Sequence, residues 1–431
     1  MAEKRVTMKC IQKKFLKSII TSAITITCCL PLFATHNVNR YLPLLERPED
    51  ILLKKNTQVT LSAFYDNAST SKKRWGGNGG LYDLWGTYDL KDVITSLKQV
   101  KPASDPIYEV TGSHALDGKS LVFKAGGKMR VWGLQLHGAQ KLPLHFSVGA
   151  YLPVMNVSTY NWYDFNTNDS DSIGNTPPET IDQIRRQTHK DIGFEGNVWR
   201  KDGLGDIDAY LRWDYKFNYI MMMKSLTPNF MFGVIAPSGT TSSPDSPSSL
   251  SFGSDGHWGL YGDFLLDIEL KQDLQFGLLF GYAHLFPHTR SLRLAYDKEP
   301  TIFSSIVGNV GNKPGDTFKF STYLTLENLS DGLHFQARYT YLRHADDTWL
   351  DNRADKTIKS YLQKDASLID FKKGLTRWRE HLFTFQLMYE TAQSSQPVRF
   401  DPTFFVLLDV PMAGSSYAKT FNCAVGCGLQ F

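Results

Sequence analysis

Residues 421–431 read Phe-Asn-Cys-Ala-Val-Gly-Cys-Gly-Leu-Gln-Phe, and this stretch decides the fold. Every second residue from Phe421 to Phe431 is apolar, and the residues between them are small or polar. Because successive side chains of a β-strand point to opposite faces, the alternation predicts a strand with one apolar face. A soluble sheet has this property too, so a single strand does not separate soluble from membrane proteins.

The same alternation recurs along the chain, and in other segments the polar face is charged. In residues 206–218, Leu211, Trp213 and Tyr215 alternate with Arg212 and Asp214. The pattern is repeated in residues 258–271, 273–285, 318–327, 333–344 and 383–390. A barrel wall between lipid and a polar lumen needs strands of this kind, about 9–11 residues long. Because backbone groups in lipid must all be paired, such a sheet must close.

The spacing of the connections gives independent support for a membrane barrel. Short connections, such as 138–143, 271–273, 329–332 and 393–397, alternate with long polar ones at 157–203, 239–255, 287–315 and 345–377. Short periplasmic turns that alternate with long outer loops are typical of outer-membrane barrels. We therefore predict an all-β fold, a transmembrane antiparallel up-and-down β-barrel of about 12 strands (range 10–14). Residues 67–128 could hide a further hairpin.

Three long loops are predicted to contain short helices. Leu90, Val93, Ile94 and Leu97 follow a helical period, Thr176 to Glu179 resembles a capping box, and residues 355–364 favour a third helix. These helices either fold over the barrel mouth and gate it or pack against the outer rim.

The first 34 residues have the layout of a signal peptide. Basic residues extend to Lys17, and an apolar segment follows from Ile19 to Ala34. We predict a signal peptide at 1–34, with an uncleaved anchor helix as the alternative. Residues 35–56 are then a periplasmic tail or a plug in the lumen, and 57–431 are the outer-membrane barrel. The predicted location is the outer membrane.

Composition excludes several other classes of protein. Residues 1–35 hold six of the 47 bases and one of the 43 acids, so 41 bases and 42 acids remain. No basic surface for nucleic acid is expected. After residue 35 no apolar run approaches the roughly 18 residues of a spanning helix. Cys423 and Cys427 lie too far apart on one strand to form a disulfide with each other.

The parity of each strand identifies candidate lumen-lining residues. Charged side chains that oppose the apolar face are expected to point inward, where they hydrate or pair. They are Asp206, Asp208, Arg212, Asp214, Lys216, Asp263, Asp267, Glu269, Lys319, Arg338 and Glu390. The terminal Phe431 is similar to the signal that barrel-assembly machinery reads on outer-membrane barrels. The expected partners are therefore this machinery, outer-membrane lipid and a small-molecule solute.

No chemical motif supports an enzyme. The chain has no Gly-x-Ser-x-Gly elbow and no His-Glu-x-x-His, and Asp164-x-Asn166-x-Asn168 fails the calcium-loop pattern at its sixth and twelfth positions. His344 with Asp346 and Asp347 could in principle activate water, although such groups usually form a solvated rim. We expect no catalytic activity, cofactor or metal.

One local resemblance goes beyond the barrel pattern. Gly203-Leu204-Gly205-Asp206 opens a strand, and the next strand ends in Ala236-Pro237-Ser238-Gly239. Over about 35 residues this resembles the outer-membrane proteins of the "MetA-pathway of phenol degradation" group, in which Thr usually replaces Ser238. That group is loosely similar to FadL-type channels for hydrophobic compounds. The Asn-Pro-Ala hatch motif of FadL is not found here.

These observations favour a channel for passive uptake of small, partly hydrophobic or aromatic solutes. The inward positions are charged on 206–218 and 258–271 and largely apolar on 273–285, which suits such solutes. The alternatives are a general aqueous porin, for which about twelve strands leave little width, and a non-conducting structural barrel. A barrel enzyme remains the alternative with the least support.

Overall fold

A computed structural model describes residues 39–42, 55–86, 88–100, 119–171, 177–220, 223–294, 301–304, 306–351, 375–391 and 401–431. Within these residues, twelve antiparallel strands close into a barrel, which confirms the predicted fold class and strand number. They are β1 (Thr57–Ala68), β2 (Val122–Lys141), β3 (Phe146–Phe165), β4 (Ile207–Asp214), β5 (Met223–Ala236), β6 (Gly259–Lys271), β7 (Leu274–Leu285), β8 (Thr317–Ser330), β9 (Leu333–His344), β10 (Trp378–Glu390), β11 (Asp401–Ser415) and β12 (Phe421–Gln430). Each strand pairs with the next in the chain, and β12 pairs with β1 through Gln430 and Gln58.

The two ends of the barrel differ in the length of their connections. At one end, here the short-turn end, residues 142–145, 272–273 and 331–332 join strands directly. Both ends of the barrel sequence also lie there, since Thr57 and Phe431 exchange backbone hydrogen bonds of 3.0 Å. The opposite, long-loop end carries the connections 69–121, 166–206, 237–258, 286–316 and 345–377.

The first hairpin is longer than the sequence predicts. Strands β2 and β3 have 20 residues each, so the turn falls at 142–145 instead of 138–143. Strand β3 also continues to Phe165, into the segment from 157 that was expected to be a loop. Both strands extend beyond the barrel because their upper halves pack against the structure above it.

The faces of the barrel strands follow the predicted parity. On β12, Asn422 and Gly428 are buried inside the barrel, whereas Phe421, Val425 and Leu429 are exposed on its outer surface. Large apolar side chains are exposed on other strands too, among them Leu61, Trp132, Phe232, Phe280, Phe385 and Phe404. An apolar surface that surrounds a barrel is what a lipid-facing wall requires.

Inward-facing glycines on one strand accommodate aromatic rings from the next. A Cβ at Gly277 would lie 2.0 Å from the Tyr323 ring. A Cβ at Gly149 would likewise clash with the side chain of Tyr210, and one at Gly233 with that of Tyr261. In each case the two residues are direct cross-strand partners. These glycines therefore make room for large lumen side chains next to the wall.

A second layer, called the cap, covers the long-loop end. It contains helices α1 (Leu90–Val100) and α2 (Pro178–Asp191), the 3-10 turns Asp83–Trp85 and Thr301–Phe303, and two small sheets. One sheet has strands His288–Leu294, Ile306–Lys313 and Thr348–Asp351, and the other has Thr70–Lys72, Asn78–Gly80 and Tyr417–Ala418. The short strands Tyr88–Asp89, Val198–Leu204 and Phe217–Ile220 extend the barrel sheet. The possible extra hairpin in 67–128 is thus a set of cap strands in the part of that segment that is described.

The cap has the apolar core of a soluble protein. Leu90, Val93 and Ile94 of α1 are buried in one cluster with Ile181 and Ile184 of α2, which agrees with the predicted apolar stripes. Helix α2 begins after the N-cap residue Pro177, which makes no side-chain cap hydrogen bond, and proline at the first helical position presets the backbone dihedral. Thr176 of the predicted capping box lies outside the described residues.

Some predictions fall outside the described residues. They are the signal peptide at 1–34 and the helix at 355–364. No helix in the described ranges is long and apolar enough to cross a membrane.

Candidate functional site

Six of the predicted lumen residues lie buried inside the barrel at mid-height, and we call them the waist cluster. They are Asp208, Arg212, Asp263, Asp267, Lys319 and Arg338. Lys319 Nζ lies 3.1 Å from Asp263 Oδ2, and both side chains are almost fully buried. Gly281 on the strand between them leaves space for this bridge. Lys319 and Asp263 are therefore paired with each other and enclosed inside the barrel.

Three lumen tyrosines complete the waist cluster, and sequence reasoning did not single them out. Tyr261 donates a hydrogen bond of 2.6 Å to Asp208, and Tyr323 donates one to Asp267. Tyr210 lies 2.9 Å from His137 Nε2. Strand parity places all of these residues inward, so the signal was present in the sequence. Tyrosine occurs on both faces of the barrel, so the residue type alone does not identify these three as lumen residues.

A separate acidic wall faces the lumen from β1, β10 and β11. It consists of Asp66, Glu380 and Asp409, all of them buried. Thr384 and Asn422 donate hydrogen bonds of 2.5 and 2.8 Å to the two oxygens of Asp409. Neither carboxylate oxygen of Asp66 has a hydrogen-bond partner among the described residues. Parity would also have placed these three inward.

Four predicted residues lie at the short-turn end, below the waist. Glu269 accepts from Lys224 at 2.5 Å and from Ser225 at 2.8 Å, and Lys216 lies 3.3 Å away. Strand β4 ends at Asp214, so Lys216 is in the following connection and more than half exposed instead of lining the lumen. Glu390 lies 4.0 Å from His334 at the same end.

Asp206 does not face an open lumen; its carboxylate is hydrogen-bonded to a loop of the cap. Its carboxylate accepts hydrogen bonds from the backbone N–H of Gly239, at 2.9 Å, and of Ser254. Ser238 Oγ donates to the Gly205 carbonyl at 2.8 Å. The Gly-Leu-Gly-Asp and Ala-Pro-Ser-Gly segments therefore contact each other and fold the serine-rich loop 237–258 over the barrel mouth.

A cavity of about 210 Å³ lies under this loop at the long-loop end. Arg40 and Tyr41 form one wall, loop 237–258 another, and Trp85 and Trp378 contribute aromatic surfaces. Arg40 Nη1 donates to the carbonyls of Leu375 and Ser416, and its guanidinium stacks on Trp85 at 3.9 Å. Asn39, Arg40 and Tyr41, which precede the barrel in the sequence, thus line the mouth.

Polar atoms without partners line this cavity. Arg40 Nη2, Arg290 Nε, His257 Nε2 and Asn312 Oδ1 are buried and have no hydrogen-bond partner among the described residues. Buried polar atoms are normally paired with protein, water or ligand. No single stretch of sequence could reveal this site, because its residues come from separate loops.

His257 presents a defined hydrogen-bonding face. Its Nδ1 lies 2.9 Å from the Phe286 carbonyl, which can only accept, so Nδ1 carries the proton. Burial lowers the pKa of His257, although the Phe286 bond partly opposes this. The ring is therefore neutral near pH 7, and Nε2 is a buried, unpartnered acceptor on a residue that lines the cavity.

The His344 group is organised as a structural contact. Its Nδ1 lies 2.8 Å from Thr317 Oγ1 and its Nε2 lies 3.0 Å from Asp347 Oδ1. Both ring nitrogens are occupied, so neither is available to activate water. Cys423 and Cys427 are free, on the outer surface. No group of side chains suited to hold a metal occurs within the described ranges.

No protein-family model matches this chain, and no curated protein matches it. Among solved structures it is similar to an outer membrane channel from Pseudomonas putida F1, with 9% identity, a TM-score of 0.47, and coverage of 89% of this chain and 98% of that one. It is also similar to a FadL homologue from Pseudomonas aeruginosa (10% identity, TM-score 0.31, coverage 87% and 90%). A third similar structure is the monoaromatic hydrocarbon channel CymD, with 9% identity, a TM-score of 0.30, and coverage of 93% of this chain and 95% of that one.

Proposed function

We propose that this protein is an outer-membrane channel for passive uptake of small, partly hydrophobic or aromatic solutes. The observation that carries the proposal is the polar interior inside an apolar outer surface. Asp263, Lys319, Arg212 and their neighbours are buried in the lumen, where apolar residues of similar volume would often be at least as stable. A charged interior retained at that cost favours a role in passing solutes over a purely structural one.

The burial of the waist argues for a narrow path. Arg212, Asp263 and Lys319 are each less than 5% exposed, whereas the wall of a wide aqueous pore would be open to water. This favours a selective channel over a general porin. The charges of the interior favour a channel, but the close packing of the waist is the observation that supports a second candidate, a non-conducting structural barrel.

We further propose that residues 35–56 act as a plug. Residues 39–42 are part of the cavity wall at the long-loop end. Lys55 lies at the short-turn end, where its Nζ is 2.7 Å from Asp401 Oδ2. Thirteen peptide units can extend roughly 43 Å, enough to pass through a hydrocarbon layer about 30 Å thick. The signal peptide at 1–34, recognition of Phe431 by barrel-assembly machinery and contact with outer-membrane lipid belong to the same proposal.

Planar-bilayer recording tests the proposal. Purified protein should give small, discrete conductance steps. Deleting residues 36–54 should enlarge them if this segment occupies the lumen. The variant Asp409→Asn should lower the preference for cations, read from the reversal potential in a salt gradient, whereas the outward-facing Cys427→Ser should not. Correctly inserted protein that gives no steps, with or without the deletion, would instead identify a structural barrel.

A further inference from the structure

The cavity at the barrel mouth has the composition of a binding site. Four buried polar atoms on its described lining residues, all without a hydrogen-bond partner there, divide into two donors and two acceptors. Both donors, Arg40 Nη2 and Arg290 Nε, belong to guanidinium groups, and both acceptors, His257 Nε2 and Asn312 Oδ1, are uncharged. Guanidinium donors form their strongest hydrogen bonds with carboxylates. A neutral acceptor requires a hydroxyl or N–H group from its partner.

Three of these four atoms belong to side chains that are fixed by other contacts. Arg290 is held by paired hydrogen bonds to Asp255, and Arg40 by two carbonyls and the Trp85 ring. His257 is oriented by the Phe286 carbonyl. These three unpartnered atoms are therefore presented by side chains that are already ordered. Sites of this kind bind with little loss of side-chain entropy.

The remaining wall favours a flat, partly apolar body. Trp85, Trp378 and Tyr41 expose aromatic surface to the cavity. Its volume of about 210 Å³ is below the roughly 300–1,000 Å³ of sites for drug-sized ligands, so a molecule of one ring is the appropriate size.

We propose that this cavity binds a small hydroxylated aromatic carboxylate, with the carboxylate on Arg40 and Arg290 and the hydroxyl donating to His257 Nε2. This proposal names a solute class for the proposed channel. Only transport of the solute rests on the proposed channel function. Binding itself is a separate property of the folded protein. It is measured without conduction, so failure of one proposal is distinguishable from failure of the other.

The test is titration calorimetry of the intact protein in detergent with three probes. They are 4-hydroxybenzoate, benzoate, which lacks the hydroxyl, and phenol, which lacks the carboxylate. The hydroxybenzoate should bind about 10-fold more tightly than benzoate, since a buried acceptor would otherwise be unsatisfied. Phenol should bind more weakly than the hydroxybenzoate by at least a similar factor.

Variants assign the effect to the site. An asparagine at position 257 can still donate to the Phe286 carbonyl but removes the cavity acceptor. The His257→Asn variant should therefore bind 4-hydroxybenzoate about 10-fold more weakly and benzoate unchanged. The Arg40→Lys variant should weaken both carboxylates and spare phenol. His334→Asn, the same change in a buried histidine at the short-turn end, is the matched control and should alter nothing.

Two results would overturn the proposal. One is the absence of heat for all three probes up to millimolar concentration with folded, heat-modifiable protein. The other is equal loss of hydroxybenzoate affinity in His257→Asn and His334→Asn, because a general loosening of the barrel would then explain the effect.

Discussion

The cap and the waist of this molecule are built on opposite principles. In the cap, Tyr88, Phe123 and Phe303 pack into an apolar core, as in a soluble protein. In the waist, Lys319 and Asp263 form the interior and apolar residues form the exterior. The difference agrees with different surroundings, since an apolar exterior is what a lipid-facing wall requires and the cap extends beyond the barrel.

The comparison also explains why the two regions should fail differently. The waist depends on a few directional contacts between charges that are costly to leave unpaired. The cap depends on many small apolar contacts and on shape. A single substitution should therefore affect the whole barrel in the waist but only local order in the cap.

The largest effect is expected from breaking the waist ion pair. Lys319→Met leaves Asp263 buried without its cation and should destabilise the barrel by about 3–5 kcal/mol. The double variant Lys319→Met with Asp263→Leu should recover most of that loss. Urea unfolding in detergent measures both, and a single variant as stable as wild type would show that the pair is not enclosed in the folded barrel.

A core truncation in the cap is the counterpart. Phe123→Ala removes contacts with the rings of Phe165 and Tyr88, at centroid distances of 5.4 and 5.7 Å, and should cost about 3 kcal/mol locally. Tryptic cleavage in the long loops should accelerate while the heat-modifiable barrel persists. Phe385→Ala on the lipid-facing surface is the control. Loss of the barrel itself would contradict the separation of the two regions.

A glycine substitution tests the packing of the waist wall. Gly277→Ala puts a methyl group against the Tyr323 ring and should cost about 1–3 kcal/mol through the shift of that ring and its bond to Asp267. Gly138→Ala, where a Cβ meets open space, should be tolerated. The two midpoints of urea unfolding should therefore differ, and equal midpoints would refute the glycine–aromatic packing.

The smallest effect is a pH dependence confined to the cap. Burial, followed by the charges of Arg185 and Arg293, lowers the pKa of His189 well below its usual value, so the folded cap holds this ring neutral. Unfolded His189 binds a proton below about pH 6.5, and cap stability should fall as the pH drops through that region. Amide exchange of α2, corrected for intrinsic rates, should rise at pH 5.5. His189→Gln should abolish the change, and pH-independent exchange in the wild type would contradict it.

The barrel could be predicted from the sequence and most of the cap could not, and the reason is physical. An apolar exterior around a polar interior imposes a period of two on every barrel strand, so parity alone places Asp208, Arg212 and Lys319 inward. The cap is assembled from loops whose partners are distant in sequence, such as Asp206 with Ser254 and Arg40 with Ser416. No local period encodes those contacts, and the mouth cavity was therefore not foreseen.

The most direct measurement of the inside-out arrangement is spin-label accessibility along β12. Native Cys423 and Cys427 face outward, and Ala424→Cys, with the other cysteines changed to serine, faces the lumen. In lipid bilayers, labels at 423 and 427 should relax strongly with oxygen and weakly with a water-soluble nickel chelate, and the label at 424 should not share the oxygen response. Oxygen accessibility that is equal at all three positions, or highest at 424, would contradict the assignment of lumen and lipid faces.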